Sequence, residues 1–180
     1  NEVATAFART YALEAAERGA KIDVLTRLPN RRYFDEALAI ESPRRRANDS
    51  IGILMVDIDH FKLINDRFGH GTGDQVLRGV AGAITGAVRD EDTPARYGGE
   101  EFAVLLRRTE EEQAVEVAER IRRAVVRLHP ASLGITEPVT VSVGVAVAGP
   151  GGVPVTKLVE RADGALYRAK RQGRDRVVTA

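Results

Sequence analysis

The sequence predicts one α/β (α+β) sandwich, in which helices cover a β-sheet, and two observations carry this prediction. Residues 51–56 form a short continuous apolar run, as expected for a strand that is buried on both faces. Between residues 139 and 147, valines alternate with small or polar residues, which is the period of a strand. Helical segments separate these strands, so we expect the order strand–helix–helix–hairpin–helix–strand–helix–strand within one domain.

Composition excludes several classes of protein. The 27 basic and 26 acidic residues nearly cancel, which argues against a nucleic-acid or membrane-surface binder. There is no cysteine, so disulfides and thiolate metal sites are excluded. No apolar run approaches the roughly 20 residues that span a bilayer, and no secretory signal is visible. The lack of cysteine is compatible with a cytoplasmic domain, which we expect here. Because the chain begins with Asn1 rather than Met, we expect it to be a fragment of a longer protein, which a membrane could tether.

The N-terminal segment is predicted to be a linker helix, residues 1–22. Ala, Glu and Arg dominate its first 20 residues, and all three suit a helix. Ala6, Leu13 and Ala20 are seven apart, as in a coiled-coil seam, although an ordinary amphipathic tail fits three positions equally well. Residues 23–180 are expected to form the domain itself, without an internal repeat.

Each further element has its own local signal. Pro29 and Asn30 suit a helix start, and Gly173 is positioned to stop the last helix. Gly98 and Gly99 permit the positive φ of a hairpin. The predicted elements are helix 31–40, loop 43–50, strand 51–56, helices 61–68 and 73–88, hairpin 97–102 continuing as strand 102–106, helix 110–128, strand 139–147, helix 155–171 and strand 176–178.

Acidic residues cluster where predicted strands end. Asp57 directly follows the apolar run, Asp59 comes two residues later, and Glu100 and Glu101 follow the glycine pair. If the two strands are neighbours, carboxylates from both meet, and they repel one another unless a hard cation joins them. Mg²⁺ favours one or two carboxylates together with waters and substrate phosphates. Taken singly, each cluster fits polar residues where the chain leaves a core.

Side chains suited to a nucleoside triphosphate lie around these acids. A lysine one turn beyond Asp59 and a Lys–Arg pair near the C-terminus can neutralise phosphate charge. An amide with a carboxylate suits guanine, because the carboxylate accepts from N1–H and the 2-amino group while the amide donates to O6 or N7. Adenine offers no such donor pair. The candidates are Lys62, Asn65, His70, Asp74, Lys170 and Arg174.

Five motifs in fixed order resemble the GGDEF family of diguanylate cyclases over about residues 22–178. A five-letter match alone is weak, but the order and spacing of several motifs are specific. The motifs are Asp23-x-Leu-Thr-x-Leu-Pro-Asn-Arg31, Asp57-x-Asp-x-Phe-Lys-x-x-Asn-Asp-x-x-Gly-His-x-x-Gly-Asp74, Arg89-Asp-Glu-Asp92, Gly98-Gly-Glu-Glu-Phe102 and Ala169-Lys-x-x-Gly-Arg174.

The resemblance implies a fold similar to the palm-like domain of nucleotidyl cyclases, with a mixed, largely antiparallel sheet flanked by helices. It implies condensation of two GTP molecules into cyclic di-GMP, with Mg²⁺ or Mn²⁺ as cofactor. Glu100 is then the candidate general base, although the metal alone can activate the 3′-hydroxyl. The implied roles are metal binding by Asp57, the Ile58 carbonyl, Glu100 and Glu101, guanine binding by Asn65, His70 and Asp74, and phosphate binding by Lys62, Lys170 and Arg174, with Lys62 stabilising the transition state.

The resemblance also implies partners. One domain binds one GTP, so a cyclic product requires an antiparallel homodimer, controlled by an upstream sensor that is absent from this chain. Arg89 and Asp92 resemble the RxxD site through which cyclic di-GMP inhibits the family, and Arg120 is expected to complete it. Asp23, with Arg31 or Arg32, fits the family's structural turn, and Asp59 is expected to support its loop.

Three alternatives differ in function. The first is a sensor of GTP or cyclic di-GMP that has lost catalysis, against which the intact hairpin and Asp57 argue. The second is a cyclase that uses adenine nucleotides, against which Asp74 argues. The third is a structural dimerisation domain, in which this concentration of carboxylates would be costly.

Overall fold

The computed structural model describes residues 21–44, 50–149 and 154–180. The predicted linker helix therefore lies outside the described residues, apart from its last two positions, and so do parts of two predicted loops. Within the described part of the chain, no helix is long and apolar enough to cross a membrane. The predicted sandwich of helices on a sheet is confirmed.

The described chain contains five α-helices and five strands, with one short 3₁₀-helix that the sequence did not predict. The helices are α1 (Arg31–Arg44), α2 (Phe61–Phe68), α3 (His70–Ala87), α4 (Glu111–Val126) and α5 (Val155–Arg171), and the 3₁₀-helix is Pro130–Leu133. The strands are β1 (Ile51–Ile58), β2 (Thr93–Arg96), β3 (Glu101–Arg107), β4 (Val141–Ala148) and β5 (Val177–Thr179).

The strands form one sheet in the order β2-β3-β1-β4-β5. The central strand β1 is antiparallel to both β3 and β4, and β2 is antiparallel to β3. Only the β4–β5 pair is parallel. The sheet is therefore mixed and largely antiparallel, as expected, and every residue of β1 is buried, as its continuous apolar run predicted.

The two faces of the sheet carry separate cores, because side chains alternate along a strand. Leu54, Val56 and Ile58 belong to the core that includes α3 and α4. Ile53 and Met55 belong to the core that includes α1 and α5. By the same alternation Asp57, the next residue of that second set, emerges on the α5 face of the sheet.

Strand β4 shows why its residues alternate in size. Its valines belong to the α3–α4 core, whereas its small residues, such as Ala146, face α5. A Cβ atom on Gly144 would overlap the carbonyl oxygen of Ala162 and lie 2.9 Å from Leu166 Cα. Glycine is thus required where the α5 backbone approaches the sheet. The alternation reflects large against small side chains on a strand buried on both faces.

Helix α1 is longer than predicted and ends at Arg44 rather than residue 40. Its C-terminal half is anchored to the sheet, because Glu41 accepts a hydrogen bond of 2.5 Å from Arg107 Nε on β3. The predicted loop at 43–50 was therefore wrong in its first two residues, and residues 45–49 lie outside the described part. Strand β2 lies just before the predicted hairpin at 97–102 and was not predicted as a strand. The other helix and strand ends differ from the predictions by a few residues, and α5 spans its predicted range.

Candidate active site

The acidic residues meet at one end of the two central strands, β1 and β3. Asp57 lies directly opposite Glu101 in the register of this antiparallel pair. Just beyond it, Ile58 N donates a hydrogen bond of 3.3 Å to the carbonyl oxygen of Glu100. The fold therefore brings together the four positions predicted for metal binding, although Asp57 and Glu100 are 43 residues apart in the sequence.

The β2–β3 hairpin presents Glu100 at its tip. Tyr97 N and Gly98 N both donate to the carbonyl oxygen of Glu101, at 2.8 and 3.1 Å, which closes the turn. A Cβ atom on Gly98 would lie only 2.6 Å from Glu101 Oε2, so glycine leaves room for that side chain to fold back. Gly98 is therefore required by the space that Glu101 occupies, whereas a Cβ on Gly99 would meet nothing. Neither glycine has the positive φ that the sequence allowed for.

The carboxylates of Asp57 and Glu100 both lie where their charged forms are disfavoured. Burial raises the pKa of Asp57, although Lys170 opposes this shift by its hydrogen bond and its charge. Burial also raises the pKa of Glu100, and the charge of Asp57 adds to that rise. Both acids would be relieved by a cation placed between them.

Lys170 contacts the acidic cluster directly. Its Nζ lies 2.8 Å from Asp57 Oδ2, and the Asp57 side chain is only 7% exposed. Lys170 is in the last turn of α5, the helix that packs on the Asp57 face of the sheet. The charge of Arg174 also opposes the rise in the pKa of Asp57 that burial causes. Two of the three predicted phosphate-binding cations, Lys170 and Arg174, therefore lie near the predicted metal ligand Asp57.

Asp59 is a structural residue, as expected. Its carboxylate accepts hydrogen bonds from Thr140 Oγ1 and Ser142 Oγ, both at 2.7 Å. It also accepts one of 3.1 Å from Asp175 N, in the turn that carries Arg174. Asp59 thus joins the end of β1 to β4 and to this C-terminal turn, and its oxygens are already engaged.

The carboxylates of Asp57 and Glu100 and the main chain of Ile58 fit a hard, six-coordinate cation whose remaining ligands come from water and substrate. Among the described residues, no group of three or more acidic or histidine side chains is arranged to hold a metal. Mg²⁺ does not need such a cage, because it commonly uses one or two carboxylates, waters and phosphate oxygens. Asp57 and Glu100 supply two carboxylates of raised pKa, and the main chain of Ile58 adjoins both.

The candidate guanine-binding residues meet where α2 turns into α3. Gly69 has a φ of 85° and its N–H donates to the Asn65 carbonyl oxygen at 2.9 Å, which ends α2. A Cβ atom on Gly73 would overlap Asn65 Oδ1, so the Asn65 amide lies against the first turn of α3. Asp74 follows Gly73 on that turn, while Lys62 and His70 are exposed at the starts of α2 and α3.

If Asn65 binds guanine, as the family resemblance implies, Gly73→Ala is expected to raise the KM for GTP by about tenfold with little change in kcat. The new methyl group displaces the Asn65 amide, and losing one hydrogen bond in a recognition site costs about 1 to 2 kcal/mol. Steady-state kinetics measure both constants. Gly82→Ala on the same helix is the matched control, because a Cβ there meets open space. Equal KM values for the two variants would contradict this arrangement.

The RxxD residues form a turn after α3. Asp92 is buried, and its carboxylate accepts from Arg89 N at 3.0 Å and Arg107 N at 3.3 Å. The Arg89 side chain is exposed. Arg120 Nε donates to the Ala87 carbonyl oxygen at 2.8 Å, so Arg120 contacts the chain two residues before Arg89. Asp92 shapes the turn that carries Arg89, and Arg120 approaches this turn from α4.

Arg96 was missed by reasoning from the sequence. It ends β2 and donates hydrogen bonds both to Asp23 and to the carbonyl oxygen of Gly99 at the hairpin tip. The sequence feature that could have indicated its role is an arginine placed just before the two glycines of the predicted hairpin. In a chain with so many arginines that signal does not stand out.

Comparison with known proteins agrees with this geometry. Residues 20–176 match the family model described as "Diguanylate cyclase, GGDEF domain". The chain is similar to diguanylate cyclase DgcP of Pseudomonas aeruginosa, with 44% identity over 169 residues that cover 93% of this chain and 25% of DgcP. It is 42% identical over 160 residues to diguanylate cyclase A of Treponema denticola, covering 86% of this chain and 43% of that protein. The chain thus spans less than half the length of these relatives.

Solved structures give the same result. The coiled coil and GGDEF domain of DgcB from Caulobacter crescentus, in complex with cyclic di-GMP, matches with a TM-score of 0.79 and 37% identity. That match covers 99% of this chain and 95% of the DgcB chain.

Proposed function

This chain belongs to the GGDEF family of diguanylate cyclases, and we propose that it condenses two GTP molecules into cyclic di-GMP with release of pyrophosphate. One observation carries the proposal: Asp57 near the end of β1 and Glu100 just before β3 lie together, with Lys170 against Asp57. Phosphoryl transfer depends mainly on alignment and on stabilisation of charge, and this cluster supplies both. Because its substrate is a cytoplasmic nucleotide, we expect the domain to act in the cytoplasm.

Asp57, the Ile58 carbonyl and Glu100 would hold Mg²⁺ or Mn²⁺, with Glu101 contributing. A bound cation of this kind polarises phosphate oxygens and lowers the pKa of an attacking hydroxyl. Glu101 lies opposite Asp57 on the same face of the sheet, which supports its place in the set. The raised pKa values of Asp57 and Glu100 also support it, since both carboxylates favour a neighbouring positive charge.

Asn65 and Asp74 would read guanine, and His70 would line the same pocket. The close contact between Asn65 and Gly73 fixes the amide one residue from the carboxylate, which supports a paired recognition of one base edge. Lys62, Lys170 and Arg174 would hold the triphosphate. Lys170 already lies against Asp57, so it can bridge the acidic cluster and a phosphate without moving far.

In the reaction, the 3′-oxygen of one GTP attacks the α-phosphorus of the other, and the bond to pyrophosphate breaks. Lys62 stabilises the charge that develops on the phosphate oxygens. Glu100 is the candidate acceptor of the 3′-hydroxyl proton, because it lies at the tip of the hairpin beside Asp57. The cation that it would help to hold can also activate this hydroxyl without a protein base. The same reaction with the roles of the two nucleotides exchanged closes the ring.

One domain offers one such nucleotide site, so the reaction requires two domains face to face. We therefore propose an antiparallel homodimer as the active form. An upstream sensor in the full-length protein would control this encounter.

The proposed reaction is tested by incubating the protein with GTP and Mg²⁺, and separately with ATP, and separating the products by chromatography. Cyclic di-GMP and pyrophosphate from GTP, and no cyclic product from ATP, are expected. Tight binding of GTP without product would instead favour the sensor function.

Arg89→Ala is expected to relieve inhibition by cyclic di-GMP and leave the initial rate within about twofold of wild type. The exposed Arg89 guanidinium, with Arg120 and Asp92 around its turn, would bind a phosphate or guanine edge of the product. Losing a charge-assisted contact of this kind weakens binding by about 1.5 to 3 kcal/mol, or roughly tenfold or more. Initial rates measured against added cyclic di-GMP give the inhibition constant. An unchanged constant would remove Arg89 from the inhibitory site.

A further inference from the structure

Arg96 links two parts of the chain that are far apart in sequence. Its Nη1 lies 3.1 and 3.2 Å from the two carboxylate oxygens of Asp23. The other side of the same guanidinium contacts the Gly99 carbonyl oxygen, with Nη2 at 2.8 Å and Nε at 3.3 Å. One planar group therefore joins the turn at residue 23 to the tip of the catalytic hairpin.

The Asp23 end of this link is firmly held. Its Oδ2 accepts hydrogen bonds from Thr26 N at 2.8 Å and Thr26 Oγ1 at 2.7 Å. Burial works to raise the pKa of Asp23, but the hydrogen bonds from Thr26 and the charge of Arg96 outweigh it, so this pKa lies below its ordinary value. Asp23 stays ionised at neutral pH and offers Arg96 a fixed negative charge.

The main chain fastens the same turn to β2. Asp23 N donates to the Leu28 carbonyl oxygen and Arg27 N to the Asp23 carbonyl oxygen, both at 2.8 Å. Arg96 N donates to the Pro29 carbonyl oxygen, also at 2.8 Å. The turn is thus a closed unit attached to the strand from which Arg96 projects, and it can serve as a rigid anchor.

The hairpin tip, in contrast, lacks side chains that could fix it. Gly98 and Gly99 have no side chains to pack, and a Cβ on Gly99 would meet open space. Main-chain hydrogen bonds from Tyr97 N and Gly98 N to the Glu101 carbonyl oxygen close the turn. Glycine at position 99 still allows several orientations of the Gly99–Glu100 peptide, and the contact with Arg96 selects one of them. The Gly99 carbonyl and the Glu100 N–H belong to one planar peptide unit. A contact to this carbonyl therefore fixes the main chain that carries Glu100.

Arginine suits this task and lysine does not. The guanidinium presents five N–H donors in a rigid fork, so it can contact a carboxylate and a carbonyl on opposite edges. A lysine ammonium is a single compact point and cannot span both acceptors in the same way. The Arg96 and Asp23 side chains are 18% and 19% exposed, so water has limited access to their contact.

We propose that Arg96 is a positioning residue, which holds the Gly99–Glu100 peptide in its reactive orientation and takes its own position from Asp23. This inference rests on the proposed function for its kinetic consequence, but the link itself is independent of it. Any displacement of the chain at residue 23 reaches Glu100 through two side chains. Arg96 touches neither a substrate nor a metal in this role.

The alternative is that the Asp23–Arg96 pair only stabilises the fold. The Glu41–Arg107 pair offers a matched control, because it also joins the N-terminal part of the chain to the hairpin strands. Its side chains are 23% and 26% exposed, close to those of the first pair. It contacts β3 at the end far from the tip, since Arg107 and Glu101 are the two ends of that strand.

The test compares Arg96→Ala, Arg96→Lys and Asp23→Asn with Glu41→Gln in steady-state kinetics with GTP. We expect kcat to fall about tenfold in both Arg96 variants and severalfold in Asp23→Asn, with KM for GTP within twofold, because small misplacements of a catalytic group cost one to two orders of magnitude. Glu41→Gln should keep its kcat. Asp23→Asn should have no further effect in the Arg96→Ala background.

Hydrogen exchange of the segment 97–102 gives a readout that does not depend on turnover. The Tyr97 and Gly98 amides should exchange faster in the Arg96 variants and in Asp23→Asn than in wild type or Glu41→Gln. If wild type makes no cyclic di-GMP, the proposed function fails while this comparison still tests the link. A kcat within twofold of wild type in Arg96→Ala, or equal losses in Glu41→Gln, would overturn the proposal, as would unchanged exchange.

Discussion

Asp57→Asn is expected to lower the rate of cyclic di-GMP formation by about a thousandfold or more, with the fold intact. Asparagine keeps the shape of the side chain but removes the negative charge, and removing one well-placed electrostatic group typically costs a hundredfold to a thousandfold. The loss is larger here because Asp57 is proposed to hold the cation as well. Initial rates at saturating GTP and Mg²⁺ measure the effect, and a thermal melt checks the fold.

The fold should survive because the substitution removes a buried charge of raised pKa rather than creating one. Lys170 loses its partner, but its side chain is partly exposed and can reach water. Glu100→Gln is expected to behave in the same way. Glu112→Gln, at an exposed position in the first turn of α4, is the control for loss of a carboxylate. Product formation near the wild-type rate by either Asp57→Asn or Glu100→Gln would contradict the assignment of the cluster.

Gly144→Ala is expected to lower the free energy of unfolding by about 3 kcal/mol. The new methyl group would overlap backbone atoms of Ala162 and Leu166, which belong to α5 and cannot move without shifting that helix. Overpacking a close-packed core costs about 1 to 3 kcal/mol, and a clash with backbone lies at the upper end of that range. Urea denaturation measures the change.

The same substitution should also reduce activity, because α5 carries Lys170 at its C-terminal end. Gly149→Ala is the matched control, since Gly149 follows β4 directly and a Cβ there meets open space. If the two variants unfold at the same urea concentration, α5 does not approach the sheet as closely as described.

The sequence predicted most of the fold because its local signals agree with its tertiary environment. The apolar run of β1 reflects burial on both faces, and the stop at Gly173 matches the end of α5. The end of α1 could not be predicted, because its last turns depend on a contact between Glu41 and a strand 66 residues away. The sheet order depends on pairings between distant segments. The family resemblance implied only a mixed, largely antiparallel sheet.

The residues of the candidate site could be predicted from their type and order in the sequence, but the contacts between them could not. Asp57, Glu100 and Lys170 were all selected from the sequence, yet nothing local indicated that Lys170 would lie against Asp57. Similarly, Asp92 was expected to face a ligand, whereas it mainly bonds to the main chain of its own turn and of β3. Arg96 was missed because its importance comes from two acceptors that meet only in the folded chain.

The order of the reaction in protein concentration, measured together with the identity of the product, tests the central claim most directly. Purified protein is incubated with saturating GTP and Mg²⁺ over a wide range of protein concentration, and cyclic di-GMP and pyrophosphate are quantified. We expect two pyrophosphates for each cyclic di-GMP, at a rate that rises faster than linearly with protein, because two domains must meet. Absence of cyclic di-GMP at every concentration, with GTP bound and the protein folded, would contradict the assignment of this domain as a diguanylate cyclase.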